Sequence, residues 1–297
     1  MFSGSEKCTL CPRKCGADRT KGLGYCKVTD ELTVARCAPH FWEEPCISGK
    51  NGSGAVFFSG CSMGCVFCQN IAISRGKVGE RISVARFKEI CFELKDLGVH
   101  NINLVTPSHF AQILAPAIAD IKEELALPII CNCSGYESDE ILDLLLPVVD
   151  VFLPDLKFFS PEVSKKYANC DNYFEVALHA IKRMVQKTGA PVFDKDGLIQ
   201  RGTIVRHLIL PGHRKDSIEI IKNLAENFDR EEILLSLMSQ YVSNGAEGAP
   251  SRRLTTFEYE SVAREVEKFG FFGYFQEISS AKEQYIPDFN LKGVKKE

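Results

Sequence analysis

The sequence predicts an α/β protein, a partial (β/α)6 barrel preceded by a small cysteine-rich cap. Three observations predict this class. From residue 54 onward, short apolar runs alternate with amphipathic helical patterns. Several of these patterns end at a glycine, as helices commonly do. Residues 1–50 are instead rich in Cys, Gly, Pro and charge. Alternating strands and helices form parallel sheets with right-handed crossovers, so a doubly wound open sheet is the alternative.

The elements follow from these patterns in chain order. The predicted strands are 55–58, 102–105, 128–131, 149–153, 202–210, 233–238 and a short last strand at 273–277. The predicted helices are 83–97, 110–125, 137–146, 173–187, 215–227 and 256–269. We therefore expect two units, a cysteine-rich metal-binding cap over 1–50 and a core domain over 51–297.

Composition excludes several classes of protein. The chain has 297 residues, with 36 Lys and Arg, 39 Asp and Glu, and 45% apolar residues, as in ordinary globular proteins. A net charge of −3 provides no overall positive field for nucleic acid or an anionic membrane. Residues 1–14 lack an apolar signal core, and the longest apolar stretch, 141–153, is interrupted by charges and a proline. We expect a cytoplasmic chain with no membrane segment.

The thirteen cysteines carry the main chemical signal. In a reducing compartment an odd, clustered set favours metal ligation or redox chemistry over disulfides. Cys61, Cys65 and Cys68 lie in the loop that follows the first predicted strand. This is the edge of a β/α barrel where catalytic loops collect. Three thiolates leave a fourth position open at a metal centre, whereas structural zinc is closed by four ligands.

This motif resembles the radical S-adenosylmethionine (SAM) superfamily. The spacing of the three cysteines, Phe67 before the last of them and their place after the first strand carry the resemblance, and Gln69-Asn70 resembles its glycyl-radical-enzyme activating branch, typified by pyruvate formate-lyase activating enzyme. The resemblance covers about residues 54–245. It implies a [4Fe–4S] cluster on the three cysteines, with SAM on the fourth iron. Reductive cleavage of SAM would then give a 5′-deoxyadenosyl radical.

Four further residues match the pattern of the branch. Asp155-Leu-Lys157, after the fourth strand, resembles its Asp-x-Lys signature for SAM, and a lysine there can pair with the SAM carboxylate. Arg206 lies in an apolar strand and needs a partner, so we expect it to face the barrel mouth. Asn132 lies where the branch places polar residues for SAM, although a strand-end turn explains it equally well.

One segment departs from the branch. Activating enzymes usually carry Gly-Gly-Glu after the second strand to hold the SAM amino group, and this chain has Thr106-Pro-Ser-His109 there. We expect hydroxyls of Thr106 and Ser108, or backbone carbonyls, to accept those hydrogen bonds.

A second cysteine group precedes the core domain. Cys8, Cys11, Cys15 and Cys26 include a Cys-x-x-Cys pair and can close a tetrahedral site. Structural zinc and an auxiliary iron–sulfur cluster both accept four thiolates, so both remain open. The group, together with the segment 38–45, resembles the N-terminal extension of an activating-enzyme-like subgroup.

The leading hypothesis is a radical SAM oxidoreductase that generates a glycyl radical on a partner enzyme. The resemblance also implies a flavodoxin- or ferredoxin-type reductant. A radical SAM enzyme acting on a small molecule or another peptide residue is the nearest alternative. From another class, the rival is a non-enzymatic zinc or iron–sulfur protein, such as an electron carrier. Nucleic-acid modification has no aromatic-basic motif in its favour.

Overall fold

A mostly parallel sheet forms the centre of the protein. The computed structural model describes residues 7–276 and 287–296. Its strands are β1 (Thr33–His40), β2 (Ser53–Phe58), β3 (Glu80–Arg81), β4 (Ile102–Val105), β5 (Ile129–Cys133), β6 (Val151–Pro154), β7 (Val192–Phe193), β8 (Ile199–Leu208), β9 (Leu234–Met238) and β10 (Gly273–Phe275). The spatial order is β10-β9-β8-β6-β5-β4-β2-β1-β3, and β7 pairs with β8 alone. All neighbours from β2 to β10 along this path are parallel.

Helices connect the parallel strands. They are α1 (Pro45–Ser48), α2 (Ile71–Ser74), α3 (Val84–Asp96), α4 (Ala111–Leu125), α5 (Asp139–Leu145), α6 (Pro161–Ala168), α7 (Tyr173–Thr188), α8 (Arg214–Asn227) and α9 (Thr256–Phe269). A one-turn 3-10 helix, Ser108–Phe110, precedes α4. Within the residues that the structure describes, no helix has the length and apolar character of a membrane span.

The predicted α/β class is confirmed, and each predicted strand and helix has its counterpart. The last strand ends at Phe275, and its predicted final residue, Glu277, lies outside the described residues. Helix α6 and strand β1 have no counterpart among the predicted elements, and neither do the short elements α1, α2, β3 and β7. Helix α6 is only two turns long, and Ser160 caps it by accepting a hydrogen bond from the Val163 amide. Strand β1 runs antiparallel to β2, so part of the 1–50 segment belongs to the main sheet.

An irregularity explains why β1 has no clear sequence signal. Its register against β2 shifts between Val34 and Arg36. Such a bulge breaks the two-residue alternation of buried and exposed side chains that identifies a strand. The C-terminal segment also contacts β1, since the Cys37 amide donates to the Lys292 carbonyl at 2.8 Å.

One face of the sheet is layered. Each of three neighbouring strands carries an apolar residue and then a polar one two positions later, which puts both on the same face. These pairs are Ile130 and Asn132 in β5, Leu153 and Asp155 at the end of β6, and Ile204 and Arg206 in β8. The three apolar members belong to one buried cluster, and Ile47 of α1 joins it. The polar layer therefore lies towards the carboxyl ends of the strands.

Glu258 stabilises the start of α9 through several hydrogen bonds. Its carboxylate accepts from the Thr255 amide at 3.0 Å, the Gly212 amide at 2.7 Å and Arg252 Nη1 at 2.7 Å. The hydrogen bonds from Arg252 lower the pKa of Glu258 below its usual value; burial opposes this and the Thr255 amide adds to it. A depressed folded-state pKa contributes stability above the unfolded pKa, and that contribution is lost as pH falls.

We therefore predict that Glu258→Gln lowers the free energy of unfolding by about 1–3 kcal/mol at pH 7. The difference from the wild type should shrink below about pH 4.5, where the unfolded carboxyl takes up its proton. Urea unfolding at pH 7 and pH 4 measures both values. Glu260→Gln, an exposed change on the same helix, is the control and should be nearly neutral at either pH.

Candidate active site

The predicted site residues meet at the carboxyl edge of the sheet. Parallel strands bring their carboxyl ends to one edge, where ligand sites of β/α folds collect. One cavity at this edge is lined by all seven residues predicted for the cluster and SAM: Cys61, Cys65, Cys68, Asn132, Asp155, Lys157 and Arg206. Gln69 and Asn70 line it as well. The four cysteines of the N-terminal group are not among its lining residues.

The loop that carries the three cysteines, residues 61–68, is anchored on several sides. Phe67 is buried and makes edge contacts with Phe158, Tyr167 and Tyr241 at ring-centre distances of 6.0, 5.8 and 6.2 Å. The Val66 amide donates to the Tyr167 carbonyl at 2.9 Å. Asn244 Nδ2, after β9, donates to the Val66 carbonyl at 2.9 Å. The aromatic residue before the third cysteine is therefore the apolar anchor of this loop.

Burial disfavours the thiolate form of two cysteines in this loop, Cys65 and Cys68, by raising the pKa of each thiol. Burial raises the pKa of the Cys65 thiol well above its usual value, and the charge of Lys157 opposes that only in part. Burial also raises the pKa of the Cys68 thiol. A bound metal ion reverses such shifts, because a coordinating thiol is deprotonated.

The polar layer contains a continuous ion network. Arg206 Nε donates to Asp155 Oδ1 at 3.1 Å, and Lys157 Nζ donates to the other oxygen of that carboxylate. Burial raises the pKa of Asp155, but the charges of Arg206 and Lys157 outweigh burial and hold that pKa below its usual value. Burial lowers the pKa of Lys157, and the negative charge of Asp155 reverses this. Both cations therefore stay charged at the cavity wall.

Glu43 also lines the cavity, although it is not among the site residues predicted from the sequence. Its side chain is 9% exposed, and its carboxylate accepts from Asn103 Nδ2 at 3.2 Å, Asn132 Nδ2 at 3.4 Å and Arg206 Nη1 at 3.5 Å. Burial raises the pKa of Glu43 despite the charge of Arg206. Its position follows from α1, whose Ile47 packs on the apolar layer directly below this network. The adjacent acids Glu43-Glu44 before an apolar turn are the one sequence signal for it.

The segment after β4, which has Thr106-Pro-Ser-His109 where activating enzymes usually carry Gly-Gly-Glu, has a defined backbone conformation. Thr106 lines the cavity and has a φ of +60°, a backbone conformation that is uncommon for a residue with a branched side chain. Ser108 does not line the cavity, and its hydroxyl donates to Glu137 Oε1 at 2.8 Å. Of the two residues whose hydroxyls were predicted to meet the SAM amino group, only Thr106 lines the cavity.

Comparisons with known proteins decide the family. Residues 55–229 match the model of the Radical SAM superfamily. The chain belongs to the radical SAM superfamily. An uncharacterized protein of Methanocaldococcus jannaschii is 26% identical over 275 residues, which cover 89% of this chain and 75% of that protein.

Solved structures share the fold of this radical SAM protein. SuiB of Streptococcus suis bound to S-adenosylmethionine superimposes with a TM-score of 0.52 at 12% identity, over 75% of this chain and 50% of SuiB. SuiB bound to the precursor peptide SuiA gives a TM-score of 0.51 at 13% identity, over 74% of this chain and 48% of SuiB. The chain thus spans about half the length of SuiB, and at this identity the likeness concerns the fold.

The superfamily implies an enzyme with a [4Fe–4S] cluster and SAM, and the cavity fits both by its chemistry. Soft thiolates are the ligands of iron–sulfur clusters, and three thiols lie in its wall. SAM carries a carboxylate and an ammonium group, and the same wall offers cations and carboxylates. Across 7–276 and 287–296, no three Cys, His, Asp or Glu side chains are grouped closely enough to hold one metal ion. The thiolates that hold a [4Fe–4S] cluster each bind a different iron, so they do not have to meet at a single ion.

The N-terminal cysteines lie near one another beside this site. Cys8 and Cys26 are buried, Cys11 is half-buried and Cys15 is exposed. Burial raises the pKa of Cys11 to about 11; a hydrogen bond from the Arg13 amide lowers it, and charges on the other three thiols raise it further. The Cys61 amide donates to the Cys26 carbonyl at 3.0 Å, so this segment contacts the 61–68 loop directly.

Proposed function

We propose that this protein binds a [4Fe–4S] cluster through Cys61, Cys65 and Cys68 and cleaves SAM reductively. The observation that carries the proposal is one cavity whose wall combines these three thiols with the ion network of the polar layer. When bound and reduced, the cluster supplies the electron that splits SAM into methionine and a 5′-deoxyadenosyl radical.

The side chains of the network would bind and orient SAM. Lys157 and Arg206 are cations that pair with its carboxylate, while Asp155 holds both in place. Asn132 is fixed by Arg206 Nη2, which donates to its Oδ1 at 2.5 Å, and its amide would face the ribose or methionine part. Thr106 would accept a hydrogen bond from the SAM amino group.

For the fate of the radical, we propose a glycine of a partner protein. Gln69-Asn70 and the Asp155-x-Lys157 pattern support this, and both lie in the cavity wall. A flavodoxin or ferredoxin would then be the reductant. Action on a small molecule or another peptide residue is the second candidate, and the Thr106-Pro-Ser loop in place of Gly-Gly-Glu favours it. Stimulation of SAM cleavage by a glycyl radical enzyme, compared with peptides or metabolites, distinguishes the two.

We further propose that Cys8, Cys11, Cys15 and Cys26 form a second site for a thiophilic metal centre, either zinc or an iron–sulfur cluster. Their soft donor set and the Cys-x-x-Cys spacing support this, although in the structure the four thiols do not converge on one metal-ion position. Zinc and iron–sulfur occupants differ in colour and iron content. Metal analysis of the protein carrying Cys61→Ala, Cys65→Ala and Cys68→Ala isolates this second site.

The test of the main proposal is 5′-deoxyadenosine formation. Protein reconstituted anaerobically with iron and sulfide, then reduced with dithionite, should convert SAM to 5′-deoxyadenosine and methionine. A protein that assembles no iron–sulfur cluster and holds zinc at both cysteine groups would be a metal-binding protein instead. A cluster-loaded protein that binds no SAM would equally contradict the proposal.

A further inference from the structure

Arg13 connects the N-terminal cysteine segment to the 61–68 loop. It lies between Cys11 and Cys15, and its guanidinium donates to four backbone carbonyls. Nε donates to Ser62 at 2.9 Å, Nη2 to Met63 at 3.2 Å and to Ala168 at 2.5 Å, and Nη1 to Asn169; the acceptor in each case is the carbonyl oxygen. One side chain thus uses all of its nitrogens on two separate parts of the fold.

The carbonyls that Arg13 contacts have specific positions. Ser62 and Met63 lie between Cys61 and Cys65, inside the loop itself. Ala168 and Asn169 end α6, where unpaired carbonyls carry partial negative charge and favour a cation. Since the Val66 amide also donates to the α6 carbonyl of Tyr167, the loop and the helix end are joined both directly and through Arg13.

Aromatic rings fix the direction of this guanidinium. Its central carbon lies 4.4 Å from the ring centre of Tyr25 and 5.5 Å from that of Tyr136. Tyr25 precedes Cys26, whose carbonyl accepts the hydrogen bond from the Cys61 amide. The planar, forked shape of arginine suits such stacking and multiple donation, and lysine has neither property.

We propose that Arg13 is a positioning residue for the 61–68 loop and that it links the N-terminal cysteine group to the cluster site. A metal on Cys11 and Cys15 would fix the short turn that carries Arg13. The guanidinium would in turn fix the carbonyls between the first two cluster cysteines. This inference rests on the proposed function, because it assigns Cys61, Cys65 and Cys68 to the cluster.

The first test compares Arg13→Gln and Arg13→Lys with Lys14→Gln. Lys14 is exposed in the same turn, so its change removes the same charge without these contacts. Arg13→Gln should lower 5′-deoxyadenosine formation by about 10- to 100-fold, the effect of a misplaced reactive group. The electron paramagnetic resonance spectrum of the reduced cluster with SAM should change too. Lys14→Gln should match the wild type in both measurements.

Arg13→Lys keeps the charge and tests the geometry. We expect the melting temperature of Arg13→Lys to be close to that of the wild type. Its cluster spectrum and product yield should stay close to those of Arg13→Gln. A wild-type spectrum and yield in either variant would overturn the positioning role. If Arg13→Gln fails to fold, the lysine variant alone decides between these outcomes.

The second test addresses the link to the N-terminal cysteines. Cys11→Ser should produce the same spectral change as Arg13→Gln, and the double variant should lose no more product than Arg13→Gln alone, since both act through one contact. Losses that multiply would refute the link. Should the wild type make no 5′-deoxyadenosine, the proposed function fails, whereas iron retention and the cluster spectrum still test Arg13.

Discussion

Cys65→Ala is expected to abolish the iron–sulfur cluster and reduce 5′-deoxyadenosine to background. Cys65 is the buried, central thiol of the three, and two thiolates do not retain a cluster in a cavity open to SAM. The loss is measured by iron and sulfide content, by the visible absorption of the cluster and by product formation. Cys61→Ala and Cys68→Ala should behave in the same way.

Cys91→Ala is the matched control. Cys91 is buried in α3, away from the cavity, and its thiol pKa is raised to about 12 by burial alone. We expect this variant to lose about 1 kcal/mol of stability and to keep its cluster. A cluster that survives Cys65→Ala with wild-type product would show that other thiols are the ligands, and the N-terminal group would be the first to examine.

Most of the fold was predictable because its strands and helices are locally consistent. Buried parallel strands appear as short apolar runs, and helices such as α9 begin at a recognisable cap and end at glycine. Strand β1 was missed because its bulge breaks the alternation, and α6 because two turns provide too little periodicity. Both contribute to the site, because β1 leads to Glu43 and the carbonyl of Ala168 at the end of α6 accepts a hydrogen bond from Arg13.

The position of the candidate site could be predicted where its residues directly follow a strand. The three cysteines after β2 and the pair Asp155 and Lys157 after β6 line one cavity, as their places after parallel strands predict. Glu43 and Arg13 have no such local signal, because each is identified only by its contacts, with Arg206 and with the 61–68 loop, far along the chain. Such contacts are set by packing, here of Ile47 against the apolar layer, which one sequence does not reveal.

Arg206→Met is expected to cause the largest loss of stability. Arg206 is largely buried and is the one residue that contacts Asp155, Asn132 and Glu43 together among the described hydrogen bonds. Its removal takes away the positive charge that opposes burial at three carboxylates, those of Asp155, Glu43 and Glu44, and leaves Lys157 beside Asp155. Breaking a buried ion network from one side costs about 3–5 kcal/mol. Urea unfolding measures the loss, and Arg201→Met, an exposed change in the same strand, should be nearly neutral.

Two measurements distinguish lost charge pairing from lost packing as the cause of this loss of stability. In Arg206→Met the folded-state pKa of Asp155 should rise above its unfolded value, and that of Glu43, which burial already raises, should rise further. The loss should therefore be larger at pH 8 than at pH 5. Glu43→Gln added to Arg206→Met removes one unpaired charge and should recover part of the stability. A loss that is independent of pH and unaffected by Glu43→Gln would assign Arg206 a packing role. Charge pairing across β6, β8 and the α1 turn would then not be what holds the cavity wall in place.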